Sequence, residues 1–420
     1  MQKLIIDNFL NIKHAELDLK DFVVLIGPQA SGKSVAAKLT YFFKNIFFEN
    51  IMGSVIKEES YDAFKKKIEL RFKEYFPEYS WEKTNFNIKY ICNNMKIEVK
   101  KNKILKISYG ETTEEFFTEL QKSFIVVKKE TEKAMEKDEN KPFPLPKYII
   151  LERYLEKYIK DIINTFSFSE FEKTYFIPAG RSFFSNLKQN VFSFLSNNIE
   201  IDPFLKIFGA DFERVKNIYN IRKYPKPLIQ IDQIINEILN GKYRNKNNED
   251  WIESNNFSIK VINSSSGQQE SLPMLLVLSF FPYVRQHTYT NRNIFFIEEP
   301  EAHLFPVSQK KIIELLALTY NITESKNSFF LTTHSPYILT AMNNLILADK
   351  ALKKTKDKKI KEKYENKTIH FDSVSAYAVK DGVFNSIMDK EEEMINGEYI
   401  DKVSEEVGKE LSELLDIVYE

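Results

Sequence analysis

The chain has 420 residues, of which 60 are Lys or Arg and 60 are Asp or Glu, so no net charge draws the whole molecule to polyanions. With 43% hydrophobic residues it can bury a sizeable core, as one large domain with insertions or as two. Its single cysteine, Cys92, excludes an intramolecular disulfide framework and a cysteine-rich zinc site.

The opening MQKLIIDNFLNIK carries an acid and lacks the apolar core of a cleavable signal. The longest apolar run, LPMLLVLSFFPYV at 272–284, is too short and too proline-broken to span a bilayer. A cytoplasmic protein with no membrane partner is the expectation. Residues 1–26 read as three short strands, LIIDNF, AELDL and FVVLI. The last runs into GPQASGKS, Gly27 to Ser34, and then a helical face of Val35, Ala36, Leu39, Phe43 and Ile46.

G-x-x-x-x-G-K-[ST] between a strand and a helix is the phosphate-binding P-loop. Its glycines let successive backbone N–H groups point at the β- and γ-phosphate oxygens, at the positive end of the helix. The residues expected to bind nucleotide are Gly27, Pro28, Gln29, Ala30, Ser31, Gly32, Lys33, Ser34 and Val35. Lys33 would neutralise phosphate charge, and Ser34 would place its hydroxyl on Mg²⁺. A chance turn between strand and helix is the alternative.

From 66 to 109 the segments KIELRF, FNIKY, KIEVK and ILKISY alternate or run apolar and read as strands, with NN and KNK at turns. Residues 111–139 turn helical and charged, as a solvated helix or a partner-binding arm, and PFPLP at 142–146 connects them to a further helix. YFIPAGRS at 175–182 reads as a buried strand breaking at Pro178 into a loop with an exposed arginine, Arg181. LIQIDQIINEIL at 228–239 is an amphipathic helix closed by Gly241. Around it Arg214, Lys216, Arg222, Lys223 and Lys226 form a basic cluster, either a solvated face or a nucleic-acid contact.

INSSSGQQESLPMLLVL at 262–278 is a serine- and glycine-rich turn opening an apolar helix, either an anion site or a plain cap by Ser265 or Ser266. NIFFIEEPEAHLFP at 293–306 is an apolar strand ending in Glu298 and Glu299. Such a strand is expected beside the P-loop strand, with Glu298 holding the metal and Glu299 polarising the attacking water. A surface acid pair is the alternative. FFLTTHSPYIL at 329–339 ends a further strand at His334, which either senses the γ-phosphate or is structural. Residues 350–367, with nine lysines against three acids, read as a surface loop or helix. In the last segment Ile400, Val403, Val407, Leu411 and Leu414 share one helical face expected to dock on the body.

Taken in order, these pieces resemble an ABC-type ATPase head of the SMC/RecF/OLD branch, OLD being the overcoming-lysogenisation-defect family. GPQASGKS is similar to its Walker A, SSGQQE to its LSGGQ-like signature, IFFIEEPEAHL to its Walker B and D-loop, and TTHSPYIL to its switch-histidine motif. Walker B ends Glu298-Glu299 rather than Asp-Glu, and the Q-loop glutamine is not placed by the pattern, Gln189 being a candidate.

The resemblance implies an α/β P-loop NTPase fold with an antiparallel β-subdomain and a helical insertion. It implies a single domain over 1–420, with a nucleotide-binding core at 1–48 and 257–348, a β-subdomain and helical insertions at 49–256, and a C-terminal docking segment at 349–420. Two heads would pack head to tail as a homodimer or a higher oligomer, the ATP of one covered by Ser265, Ser266, Gly267 and Gln268 of the other. Glu299 and His334 would be catalytic, and Ser34 and Glu298 would hold Mg²⁺. The residues after His334 show none of the clustered acids of a TOPRIM nuclease, so the effector is expected to be a separate nuclease or toxin, as in antiphage defence ATPases of the Septu, retron-associated and PARIS kinds. A DNA-repair ATPase of the RecF or SMC sort and a slow-turnover nucleotide-gated scaffold stay open as alternatives.

Overall fold

The computed structural model describes residues 2–138, 147–166, 171–184, 201–219, 227–247, 249–283, 290–323 and 326–397. The PFPLP connector, Gln189, the basic residues Arg222, Lys223 and Lys226, and the C-terminal segment 399–418 lie outside the described residues.

The strands are β1 (Gln2–Phe9), β2 (Ile12–Asp18), β3 (Phe22–Ile26), β4 (Phe86–Cys92), β5 (Met95–Lys101), β6 (Leu105–Tyr109), β7 (Phe171–Ile177), β8 (Lys242–Lys246), β9 (Glu249–Glu253), β10 (Ser258–Lys260), β11 (Thr290–Glu298), β12 (Lys326–Thr333), β13 (Val374–Lys380) and β14 (Val383–Ser386). The helices are α1 (Lys33–Asn45), α2 (Ile51–Ile56), α3 (Tyr61–Tyr75), α4 (Glu111–Asp138), α5 (Lys147–Thr165), α6 (Pro203–Tyr219), α7 (Pro227–Leu239), α8 (Ser266–Phe280), α9 (Pro306–Ile322), α10 (Pro336–Lys354) and α11 (Lys358–Tyr364). No helix among the described residues is long and apolar enough to cross a membrane.

One eleven-stranded mixed sheet runs in the order β6-β5-β4-β1-β2-β14-β13-β3-β12-β11-β7. Its β13, β3, β12, β11 and β7 are parallel, while β1, β2, β4, β5 and β6 pair antiparallel. Parallel strands are covered on both faces, and their side chains divide accordingly. Val23, Leu25, Phe176, Phe296 and Phe330 enter a core shared with α1, α3 and α4. Phe22, Val24, Ile26, Tyr175, Ile177, Phe295, Phe329 and Leu331 enter a second core shared with α6 to α10. The result is a layer of helices on each side of a buried sheet.

The register of the parallel strands decides where the site lies. Ile26 pairs with Thr333, Thr332 with Glu298, and Ile297 with Ile177. The carboxyl ends of β3, β12, β11 and β7 therefore share one edge, the usual ligand edge of an open α/β sheet. β11 is not the neighbour of β3 that the sequence reading expected, because the crossover through α9 lays β12 between them. Glu298 is thereby two strand spacings, roughly 9–10 Å, from the β3 line. β13 on the other side of β3 and β7 beyond β11 belong to this parallel core, which so reaches past the bounds 1–48 and 257–348.

KIELRF is helical, within α3, rather than a strand. Ile68, Leu70 and Phe72 alternate, which is what suggested a strand, but Phe64, Ile68 and Phe72 are the buried set, at helical spacing. Ser60 caps the helix, accepting from the Ala63 N–H at 3.2 Å. α7 closes through Asn240, left-handed at φ 48°, with the Gly241 N–H donating to the Asn236 carbonyl at 3.0 Å. Lys216 of the basic cluster is paired with Asp250, and Arg214 lies 3.8 Å from Asp211.

The helical register of α3 can be tested by a pair of truncations. Phe72→Ala removes a fully buried ring packed at 6.0, 5.5 and 5.1 Å from Phe9, Phe42 and Phe76. It should cost about 3–5 kcal/mol. Leu70, 69% exposed, should tolerate Ala within about 0.5 kcal/mol. Chemical denaturation of the two variants measures both, and a strand would make them equally damaging.

Candidate nucleotide site at the sheet edge

Five buried apolar residues of β3 deliver the chain to Gly27, and α1 starts after Gly32. Both glycines are required by their surroundings. A Cβ on Gly27 would sit 2.5 Å from the Val379 carbonyl oxygen. Gly32 has φ 105°, and a Cβ there would sit 2.7 Å from Ile12 Cγ1. Between them Pro28, Gln29 and Ala30 are exposed, and the Ala30 carbonyl accepts from Asn11 Nδ2.

The Lys33 ammonium is turned into the loop, donating to the Gly27 carbonyl at 2.8 Å, the Pro28 carbonyl at 2.7 Å and Ser31 Oγ at 3.3 Å. Burial pushes this ammonium down to about 8, against the pull of Glu299 and Glu301. Ser34 and half-buried Val35 follow in the first turn of α1, Ser34 exposed.

Glu298 ends β11 at 6% exposure. Its Oε2 accepts from the Ala179 N–H at 3.3 Å, while its Oε1 is buried and meets no donor in good hydrogen-bond geometry among the described residues. Burial pushes the carboxyl up, and Lys38, the Ser34 hydroxyl and the Ala179 N–H act against it. An orphaned carboxylate oxygen near an exposed hydroxyl suits Mg²⁺, which takes few protein ligands and completes its shell with water and phosphate.

Glu299 is left-handed, φ 43°, an uncommon state for a residue with a side chain. Its N–H donates to the Thr332 carbonyl at 2.9 Å, and its Oε1 lies 3.3 Å from His334 Nε2. A residue that the sequence reading passed over, Glu301, fixes the histidine's backbone: its Oε1 accepts from Thr333 Oγ1 and from the His334 N–H, both at 2.7 Å. The signal was a third acid in EEPEAH, three residues beyond Glu298.

Arg181 is not exposed as expected but fully buried. Its Nε donates to the Glu270 carbonyl at 3.0 Å, its Nη1 to the Pro178 and Glu298 carbonyls at 2.8 and 2.7 Å, and its Nη2 to the Glu299 carbonyl at 3.0 Å. The Glu270 carboxylate accepts from the Arg181 and Ser182 N–H groups, each at 2.8 Å. Burial raises the Glu270 carboxyl, but Arg181 and these two N–H groups outweigh it and hold it below the usual carboxylate range.

Ser265 caps α8 in a reciprocal box, its Oγ accepting from the Gln268 N–H at 3.3 Å and Gln268 Oε1 accepting from the Ser265 N–H at 3.2 Å. Gln268 Nε2 also donates to the Leu239 carbonyl at 2.6 Å. Gly267 is buried against the loop after β11, where a Cβ would meet the His303 carbonyl oxygen at 2.7 Å, while Ser265 and Ser266 are exposed. Lys33, Glu298, Glu299, Glu301 and His334 are thus gathered on one edge. Ser265 to Gln268 join that edge through Glu270 and Arg181, and among the described residues no hydrogen bond links them to the loop of Gly27 to Ser34.

No curated protein matches the sequence. Among solved structures the chain is similar to the SMC head domain from Thermotoga maritima, with 11% identity and a TM-score of 0.36 over 92% of this chain and 97% of that one. It is also similar to the recombination mediator RecF–ATPrS of the RecFOR pathway, with 12% identity and a TM-score of 0.30 over 92% and 97%. A dimeric bacterial ABC transporter cassette has 12% identity and a TM-score of 0.32 over 92% and 97%. The AAA ATPase domain family matches residues 1–339, and by that match, over most of its length, the chain belongs to this family of ATPases.

Proposed function

We propose that this chain is an ATP-driven switch, in which two copies close head to tail over nucleotide and part after hydrolysis. The observation that carries the reading is the meeting of Lys33, Glu298, Glu299 and His334 at one sheet edge, with a left-handed Glu299 beside the histidine. The N–H groups of Gln29 to Val35 cradle the phosphates of ATP, and Lys33 exchanges loop carbonyls for phosphate oxygens. Ser34 and Glu298 hold Mg²⁺, which when bound offsets phosphate charge. Glu299 polarises the water that attacks the γ-phosphorus, and His334 donates to the γ-phosphate.

Closure brings Ser265, Ser266, Gly267 and Gln268 of one copy onto the nucleotide of the other. Exposed Phe305, Val307 and Tyr337, close in sequence to Glu299 and His334, give a second copy apolar surface to cover. Because ATP binds the closed form preferentially, it shifts the equilibrium towards assembly. The output is carried by a separate nuclease or toxin in antiphage defence, a part of the reading that rests on the sequence resemblance.

Lys33→Ala should abolish binding of a fluorescent ATP analogue. Glu299→Gln should keep binding, lower kcat by about 100-fold or more, and accumulate a dimer in ATP and Mg²⁺ by light scattering. Wild-type turnover in Glu299→Gln would remove that residue from its role.

The pH dependence follows from Lys33. Its ammonium is charged below about 8 in the free protein, and phosphate favours the charged form. ATP binding should therefore take up protons near pH 8 and weaken as pH rises above it. Calorimetry in two buffers of different ionisation enthalpy measures the uptake, and its absence would contradict the assignment.

Tagged Glu299→Gln, purified from the native host in ATP and Mg²⁺, should retain a stoichiometric nuclease or toxin. Recovery of DNA with no protein partner would overturn the effector reading.

A further inference from the structure

We propose that Arg181 is a positioning residue for hydrolysis, which fixes the backbone of Glu299 and joins it to the helix opened by Ser265 to Gln268. The inference rests on the reading of Glu299 above and adds to it what holds that carboxylate in place.

A left-handed residue with a side chain persists only where its neighbours over-determine it. The two carbonyls on either side of the Glu299 Cα, those of Glu298 and Glu299, accept from Arg181 Nη1 at 2.7 Å and Nη2 at 3.0 Å. One rigid plane therefore spans both dihedral angles of Glu299, and neither can turn without losing a bond. The Thr332 carbonyl holds the N–H of the same residue at 2.9 Å.

The other end of the guanidinium faces α8. Nε donates to the Glu270 carbonyl at 3.0 Å, and the Glu270 carboxylate takes the N–H groups of Arg181 and Ser182, each at 2.8 Å. Glu270 lies one turn beyond the exposed Ser265 and Ser266. A displacement of α8, when a second copy's nucleotide is gripped, reaches the backbone of Glu299 through this side chain, beside the packing of Gly267 on the loop at His303. Lysine would keep the charge but cannot bridge two carbonyls with a fixed fork.

The test compares Arg181→Lys and Glu270→Gln with the wild type in ATPase kinetics and in titration with a fluorescent ATP analogue. Both variants should lose at least about tenfold in kcat while their Kd for the analogue stays within about twofold. Arg181→Lys placed on Glu299→Gln should reduce residual turnover no further, since both act through one carboxylate. Wild-type kcat in Arg181→Lys, equal losses in kcat and in affinity, or an additive loss in the double variant would each overturn the inference. Should Arg181→Lys fail to fold, Glu270→Gln keeps the guanidinium and is read the same way. If Glu299→Gln is inactive and Arg181→Lys fully active, only this inference fails; if Glu299→Gln turns over normally, both readings fail.

Discussion

A guanidinium with no solvent exposure needs an oxygen for each of its five N–H groups. Arg181 gives four of them to the carbonyls of Pro178, Glu270, Glu298 and Glu299, and its Nη2 also faces the Glu270 carboxylate as an ion pair at 3.5 Å. Those oxygens come from three stretches far apart in sequence: the loop after β7, α8 and the end of β11. Breaking a buried pair of this kind costs about 3–5 kcal/mol, because the remaining charge keeps its desolvation penalty. The three stretches therefore behave as one body. The Ala179 N–H on Glu298, the conformation of Glu299 and the seat of Gly267 against His303 all inherit their positions from it.

Around this body, Lys33 and Glu298 are perturbed in complementary senses. Burial pushes the ammonium down and the carboxyl up, so both ionised forms are disfavoured in the protein by itself. A ligand that carries phosphate and a divalent cation together relieves both at once. The desolvation that weakens each group in isolation is what would make its pairing with such a ligand strong.

Much of this was legible in the sequence, for identifiable reasons. β1, β2, β3, β4, β5, β6 and β12 show as alternating or apolar runs, and Gly27 to Ser34 show as a spacing that few other turns share. What was hidden lies in pairings that no local pattern encodes. The order β3-β12-β11 is set by the route of α9, and α3 reads as a strand because Ile68, Leu70 and Phe72 alternate within a helix. Arginine is ordinarily a surface residue, and the carbonyls that make Arg181 an interior one gather only in the folded chain. Glu301 shows in the sequence only as a third acid in EEPEAH, and its hold on the backbone of His334 exists only once β11 and β12 lie side by side.

β13 supplies a different kind of constraint. Val374 to Ala378 pair with Phe22 to Ile26, and the Val379 carbonyl presses on Gly27 so closely that only hydrogen fits there. The loop built by residues 27–34 is thus bounded by a strand made some 350 residues later. At about 5–20 residues per second, roughly 17–70 s of synthesis separate the two. A nascent chain carries the whole of GPQASGKS through that interval without the wall that shapes it, so the loop takes its final form only once β13 has been made and paired with β3.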